Sequence, residues 1–368
     1  MGTQGIRNIF QAAAVAGVLA ALCICADGEA QTCTPDFLIT PTPNGPQSNR
    51  LRAAAAFDVN DVWVVGFANG RRFQTSDYQT LIEHWDGSSW SIVPSPNQGV
   101  SSQLSGVGGV ATNDLWAVGS FNEVEGFSPT RTLTEHWDGA QWSVVASPSL
   151  EGFDQLNAVA AVATDDVWAV GQDSAARSLF LHWDGQVWTI IDGPPGSWPQ
   201  YAVAVLATDD VWSAGPGSLN HWDGTSWSTI PSPPIIAKGL SAIASNDVWA
   251  SGSLLHEVCE KSCYNYETPR VLHWDGQSWA ATDLFGYQAR LNGIAAESSA
   301  SVWSVGGEIG HTLATHWDGN RWSNAPELQL GAGTSFEGVA VVGGDAWAVG
   351  WFVFPGRDET LAVRFRCN

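Results

Sequence analysis

The string His84-Trp85-Asp86-Gly87-Ser88-Ser89-Trp90 decides the reading of this chain, because it returns five more times: His136 to Trp142, His182 to Trp188, His221 to Trp227, His273 to Trp279 and His316 to Trp322. A second string comes before each copy. Asn60-Asp61-Val62-Trp63-Val64-Val65-Gly66 recurs around Trp116, Trp168, Trp212, Trp249, Trp303 and Trp347, seven occurrences in all. Self-similarity with a period of several tens of residues marks a repeat architecture, and it has to be settled before any other feature is weighed.

One unit, Leu104 to Pro148, divides into four short runs: Leu104 to Ala111, Leu115 to Gly119, Thr132 to Trp137 and Gln141 to Val145. Asp-Gly between two aromatic runs is a strong hairpin signal, since glycine accepts the positive φ of a tight connection. Four antiparallel strands per unit and seven units predict an all-β, seven-bladed β-propeller over residues 31–368. The last unit supports closure. After Trp347, Thr360 to Cys367 reads as a third strand with Arg364-Phe365 in place of His-Trp, and the fourth strand is missing. Phe37-Leu38-Ile39-Thr40-Pro41 aligns with Trp90-Ser91-Ile92-Val93-Pro94, so the N-terminal strand is expected to complete the last blade and remove the open sheet edge. The same alignment sets Cys33 against Cys367 as a disulfide in place of the usual turn.

The paired strings Asp-Val-Trp-Ala-Val-Gly and His-Trp-Asp-Gly-x-x-Trp resemble a group of secreted bacterial propeller repeats, loosely similar to the kelch and WD-repeat families. The resemblance covers about residues 33 to 367. It implies a propeller architecture and no particular activity, as the group includes lectin-like and enzyme-linked members. True WD repeats differ in their Gly-His opening and Trp-Asp ending, which this chain lacks.

Nineteen of the 21 tryptophans fall on repeat positions, so they are read as packing wedges between blades. The repeated histidines, one per blade and dispersed, are read as structural and hydrogen-bonded, not as metal ligands. The repeated Asp114, Asp166 and Asp210 are read as caps of their own turns in preference to calcium ligands.

Met1 to Ala30 has an early Arg7, an apolar run from Ala12 to Ala26 and a small-residue exit, which predicts a cleaved signal peptide over residues 1–30. The run is short against the roughly 20 apolar residues of a membrane span; a retained anchor is the other reading. Export then makes the mature protein secreted, extracellular or periplasmic, and the four remaining cysteines default to the disulfides Cys33–Cys367 and Cys259–Cys263. With a net charge of −22 and two lysines, nucleic acid and anionic membrane surfaces are excluded as partners. No phosphate loop, dinucleotide fingerprint, His-Glu-x-x-His helix or Gly-x-Ser-x-Gly elbow is present, so no cofactor or metal is expected. A monomer is expected.

Loop variation is confined to one rim of the predicted ring, where the second-to-third-strand and blade-to-blade connections lie. All five tyrosines fall on that rim or at its edge. Trp198 and Trp351, His256 and His311, and Arg71, Arg72, Arg131, Arg177, Arg270, Arg290 and Arg357 fall there too. Functional residues concentrate on such loops over a rigid scaffold. The leading expectation is an exported scaffold that recognises a glycan or other surface molecule through Trp198, Tyr201, Tyr264, Tyr266, Tyr287, Arg290, Trp351 and Arg357. The alternative is a carbohydrate-active lyase or hydrolase that uses His256, His311, Tyr264 and Tyr266 for proton transfer. A third reading is a structural propeller that contacts other proteins.

Overall fold

The computed structural model describes residues 35–45, 47–69, 78–124, 129–150, 152–259, 263–286, 288–308, 310–328, 330 and 333–367. The signal segment 1–30, Cys33, Arg71, Arg72 and Tyr287 lie outside the described residues, and with Cys33 goes the expected Cys33–Cys367 bond. Twenty-eight strands form seven four-stranded antiparallel sheets. Blades 1 to 6 occupy residues 49–92, 101–144, 155–191, 202–230, 236–283 and 290–324, each with its strands side by side in chain order. The first strands of successive blades pack on one another in a closed cycle and so form the innermost layer.

Blade 7 has the composition the sequence called for. Thr334–Val342, Asp345–Phe354 and Arg357–Cys367 supply three strands and Pro35–Thr40 the fourth, with Phe37 opposite Phe365 and Ile39 opposite Val363. The two ends of the described chain are thus held in one sheet, and the ring has no open edge at its closure.

Tryptophan joins blade to blade. Trp63 of blade 1 lies 5.0 Å from Trp137 and 5.9 Å from Trp142 of blade 2. The same triad follows round the ring, from Trp116 with Trp183 and Trp188 to Trp249 with Trp317 and Trp322. Trp347 of blade 7 closes the circuit on Trp85 and Trp90 of blade 1 at 5.2 and 5.5 Å. Where Arg364-Phe365 replaces His-Trp, Phe365 takes the tryptophan's place and stacks on Trp303 of blade 6 at 5.2 Å. Tilted and edge-on rings at these distances are the favourable aromatic geometries.

The repeated histidine is structural, as expected, and its partner corrects one assignment. Asp114, Asp166 and Asp210 do not cap their own turns; their carboxylates meet His136, His182 and His221 Nε2 at 2.8, 2.9 and 2.9 Å. Asp61 binds His84 in the same way and also accepts the Trp63 indole N–H. The turn caps are the aspartates of the Asp-Gly string: Asp86 Oδ1 accepts the amides of Ser88 and Ser89 at 2.8 and 2.9 Å. Gly87 beside it sits at φ 92°, where a side chain would be strained. The sequence reading gave the capping role to the wrong aspartate because both adjoin a tight turn, one just after it and the other just before. The deciding factor is the cross-strand histidine, which only the strand register reveals.

Candidate functional site

Six of the seven first strands have an irregularity near their start, on the variable rim. The pairing ladder with the second strand skips one residue in six blades: Arg52, Ser105, Asn157, Lys238, Asn292 and Glu337. In blade 4, Tyr201 holds the corresponding place immediately before Ala202, where the ladder begins. A β-bulge re-aims the extra side chain out of the regular alternation. The glycine that ends the repeated Val-Trp-x-Val-Gly string makes room for it. A Cβ on Gly66, Gly119, Gly171, Gly252, Gly306 or Gly350 would stand 1.9–2.0 Å from a first-strand carbonyl oxygen just ahead of the bulge, and one on Gly215 2.1 Å from the Pro199 carbonyl oxygen ahead of Tyr201. The repeated glycine therefore keeps the bulge in six blades, while the bulged residue itself is free to differ.

All seven of these side chains line one cavity of about 380 Å3 at the mouth of the central channel, together with Arg50, Gln155, Arg290 and Trp351. Just below them the inner strands approach closely: a Cβ on Gly338 would lie 2.8 Å from the Arg52 carbonyl oxygen, and one on Gly106 2.8 Å from Ala158 Cα.

The charges in this pit run against those of the protein as a whole. Arg50, Arg52, Lys238 and Arg290 line it against the single carboxylate of Glu337. Asp358 binds Arg50 at 2.7 Å, and Glu337 accepts the Trp351 indole N–H at 3.2 Å. No carboxylate pairs with Lys238 or Arg290 among the described residues. Burial, assisted by the neighbouring Arg290, lowers the Lys238 pKa, and burial likewise lowers that of Arg52. Both cations are thus partly desolvated without a full counter-charge. The aromatic rings of the pit are spoken for in part: Lys238 Nζ sits 3.3 Å from the Tyr201 ring centroid, and the Arg50 guanidinium 3.9 Å from that of Trp351. Asn157 and Asn292 donate their amides to the Gln200 and Phe336 carbonyls of neighbouring blades, both at 2.8 Å.

Of the residues singled out from the sequence, Tyr201, Arg290 and Trp351 meet in this pit. The other described ones lie on loops and hairpins of the variable rim. Trp198 is 61% exposed on the loop between blades 3 and 4. Arg357 pairs with Glu359 at 2.9 Å near the hairpin tip of blade 7. Tyr264, Tyr266 and His256 come together on an arm formed by Asp247–Cys259 and Cys263–Trp274, which run past the blade and are joined near the tip by the Cys259–Cys263 disulfide. On that arm His256 stacks on Tyr266 at 4.6 Å and meets Thr268 Oγ1 at 2.9 Å. His311 is elsewhere, its Nδ1 in contact with the Glu327 carboxylate. The imidazoles required by the enzymatic alternative are therefore committed to separate partners.

Sequence reading missed Arg50, Arg52, Ser105, Asn157, Lys238, Asn292 and Glu337. Their signal was present: a single non-repeating residue between an apolar and a small one, as in Leu51-Arg52-Ala53, Leu156-Asn157-Ala158 and Leu291-Asn292-Gly293.

No family model matches this chain, and no curated protein does. Solved structures do. The chain is similar to "YCF48 bound to D1 peptide", with a TM-score of 0.56 at 12% identity over 91% of this chain and 95% of that one. It is similar to "Structure of U3-55K", with a TM-score of 0.61 at 11% identity over 89% and 98%. The "WD40 beta propeller domain of Doa1" aligns with a TM-score of 0.59 at 12% identity over 89% and 96%. Identities this low establish the fold: the protein is a seven-bladed propeller of the WD40 kind. No helix among the described residues is long and apolar enough to cross a membrane.

Proposed function

We propose that the chain is an exported binding scaffold that docks a polypeptide partner on its variable rim, over the mouth of the central channel. One observation carries this reading. Among the described residues, every strongly exposed aromatic side chain sits on that rim: Phe153, Trp198, Tyr264, Phe285 and Phe354, with Phe285 94% exposed. Exposed aliphatic residues accompany them, Val124, Leu255 and Val353. An apolar patch of this kind around a polar centre suits a protein interface, in which buried aromatic anchors carry most of the affinity. One of the propellers named above, YCF48, is bound to a peptide.

A glycan remains the second reading, and exposed Trp198 favours it, as a flat indole can stack on a sugar ring. It is the weaker of the two because Tyr201 and Trp351, the aromatic residues beside the polar groups of the pit, each have a ring face covered by a cation. Phe285, Leu255 and Val353 also offer a sugar no hydrogen bonds. Export is supported by the Cys259–Cys263 bond, since disulfides persist in oxidising compartments.

The test places a photo-crosslinking amino acid at Trp198 or Phe285, and separately at Val187 on the opposite rim, in the native host. Polypeptide adducts from the first two positions and none from the third support the reading. Equal adducts from both rims, or only glycan adducts, overturn it. The intact mass of the mature protein, read from the same preparation, reports whether residues 1–30 are removed.

A further inference from the structure

We infer that the pit at the channel mouth is a carboxylate-binding site, which receives an acidic group of the docked polypeptide. The inference rests on the docking reading above for its polypeptide source, and on the pit itself for its chemistry.

The first argument is charge. Four cations against one lining carboxylate is a local reversal in a protein of net charge −22 with only 15 lysines and arginines. Asp358 neutralises Arg50, so among the lining residues Arg52, Lys238 and Arg290 stand against Glu337, an excess of two positive charges that Glu267, near Lys238 but outside the lining, offsets only in part. Low-dielectric walls concentrate that field. The second argument is desolvation. Lys238 and Arg52 have lost part of their hydration without gaining a full counter-ion, and an incoming carboxylate would restore that balance through charge-assisted hydrogen bonds. The third is construction. A bulge in six blades, and Tyr201 at the matching place in blade 4, bring seven side chains to one cavity, and the residue type changes from blade to blade while the supporting glycine does not. Packing round a sevenfold axis would be served by repeating one small residue, whereas an asymmetric ring suits an asymmetric ligand.

Neutral hydrogen-bonding ligands fit less well. The amides of Asn157 and Asn292 are already engaged with backbone carbonyls, whereas Lys238 and Arg290 have no carboxylate partner among the described residues.

The whole chain is titrated by calorimetry at low ionic strength with four hexapeptides and one sugar. These are C-terminally amidated hexaglutamate, a Gly-Ser hexapeptide with a free C-terminal carboxylate, the same peptide amidated, hexalysine, and a galacturonate hexamer. Binding of hexaglutamate assigns side-chain carboxylates as the source, and binding of the free-acid Gly-Ser peptide assigns the chain terminus. The amidated Gly-Ser peptide should not bind. Hexalysine should bind only elsewhere on the acidic surface, with an affinity unchanged in the variant below. The overall negative charge repels hexaglutamate, so general attraction cannot produce its binding.

The double variant Lys238→Met, Arg290→Gln should weaken the carboxylate peptides by about tenfold or more, about 1.4 kcal/mol, with an unchanged melting temperature. Ser105→Glu, which puts a carboxylate into the ring, should weaken them as well and guards against misfolding of the first variant. The inference is overturned if neither carboxylate peptide binds the wild type, or if both variants bind as tightly as it does. Tighter binding of the galacturonate hexamer than of either peptide overturns the polypeptide assignment. Failure of the peptides with retained cross-links at Trp198 and Phe285 removes the pit and leaves the docking reading; peptide binding without cross-links does the reverse.

Discussion

On the rim of short turns, blades 1 to 5 repeat one arrangement, a histidine held by an aspartate two residues before the tryptophan on which the histidine stacks. On the opposite rim the seven bulge positions hold six residue types: Arg52, Ser105, Asn157, Tyr201, Lys238, Asn292 and Glu337. The two sets lie on the same blades and share the same scaffold. Repetition follows the need to join each blade to the next, since every junction poses the same packing problem. The bulge faces the axis, where its contacts with the next blade differ from one junction to another, so no single packing requirement fixes its identity. Function is therefore to be sought where a repeating strand stops repeating.

The sharpest way to break this comparison is to truncate one tryptophan from each set. Trp347 is fully buried at the junction of blades 7 and 1, against Trp85 and Trp90. Trp347→Ala should cost about 3–5 kcal/mol in denaturant unfolding through lost burial and the cavity left behind. Trp198→Ala should stay within about 0.5 kcal/mol, as expected for an exposed site, while reducing partner cross-linking. Equal losses would remove the division between the two classes of tryptophan.

A second test uses a place where the repeat itself slips. Glu83 and Glu135 are fully buried in the third strands of blades 1 and 2, and no protein donor reaches either carboxylate. Burial pushes both pKa values from 4.5 up to about 8. Blades 3 and 5 have Leu181 and Leu272 at the matching register positions. An acid whose folded pKa is raised binds its proton more tightly in the folded state, so its contribution is fully present below about pH 4.5 and is lost as pH rises to about 8. Stability should thus fall across that window. Glu135→Leu should flatten the fall and stabilise the protein at pH 8 by about 1–3 kcal/mol, the usual cost of an uncompensated buried polar group. A melting temperature that rises between pH 5 and pH 8 in the wild type would contradict this account.

The architecture was legible because turn chemistry and tryptophan spacing are local signals that repeat. Even the ring closure could be read, from Phe37 aligning with Trp90. The site was only partly legible. Tyr201, Arg290 and Trp351 were picked out because aromatic and basic residues on variable loops attract notice. Arg52, Lys238 and Glu337 were passed over because they lie inside strands, where a polar residue reads as the solvent-facing half of an alternation. The bulge breaks that alternation, and its marker, the repeated glycine, sits on the neighbouring strand, some 14 residues away at Gly252 for Lys238. A register effect between two strands cannot be read along one.

The repeated rim offers a graded test of the same principle. Asp114→Asn keeps the shape but removes the charge opposite His136, 2.8 Å away, and the site is largely though not wholly buried. A loss of about 1 kcal/mol is expected, the net worth of one hydrogen bond. Blade 6 has already made a comparable change. Ser301 stands where the aspartate would be, 3.3 Å from His316, and burial lowers the pKa of that histidine.

The smallest expected effect bears most directly on the site. Asn157→Ala removes an amide that donates to the Gln200 carbonyl of the next blade, at a half-exposed position where solvent can replace the lost donor. Ser105→Ala removes a hydroxyl whose contact with Arg52 is long, 3.4 Å. Ser105→Ala should change unfolding free energy by less than about 0.5 kcal/mol, and Asn157→Ala by no more than about 1 kcal/mol. Neither should disturb the bulge, which depends on Gly119 and Gly171 on the neighbouring strands. Because both substitutions leave all four cations in place, carboxylate peptides should bind the two variants within a few-fold of wild type, in contrast to Lys238→Met, Arg290→Gln. If Ser105→Ala instead destabilised the ring as strongly as Asp114→Asn, the bulge residues would belong to the joinery after all, and their variety would need another cause.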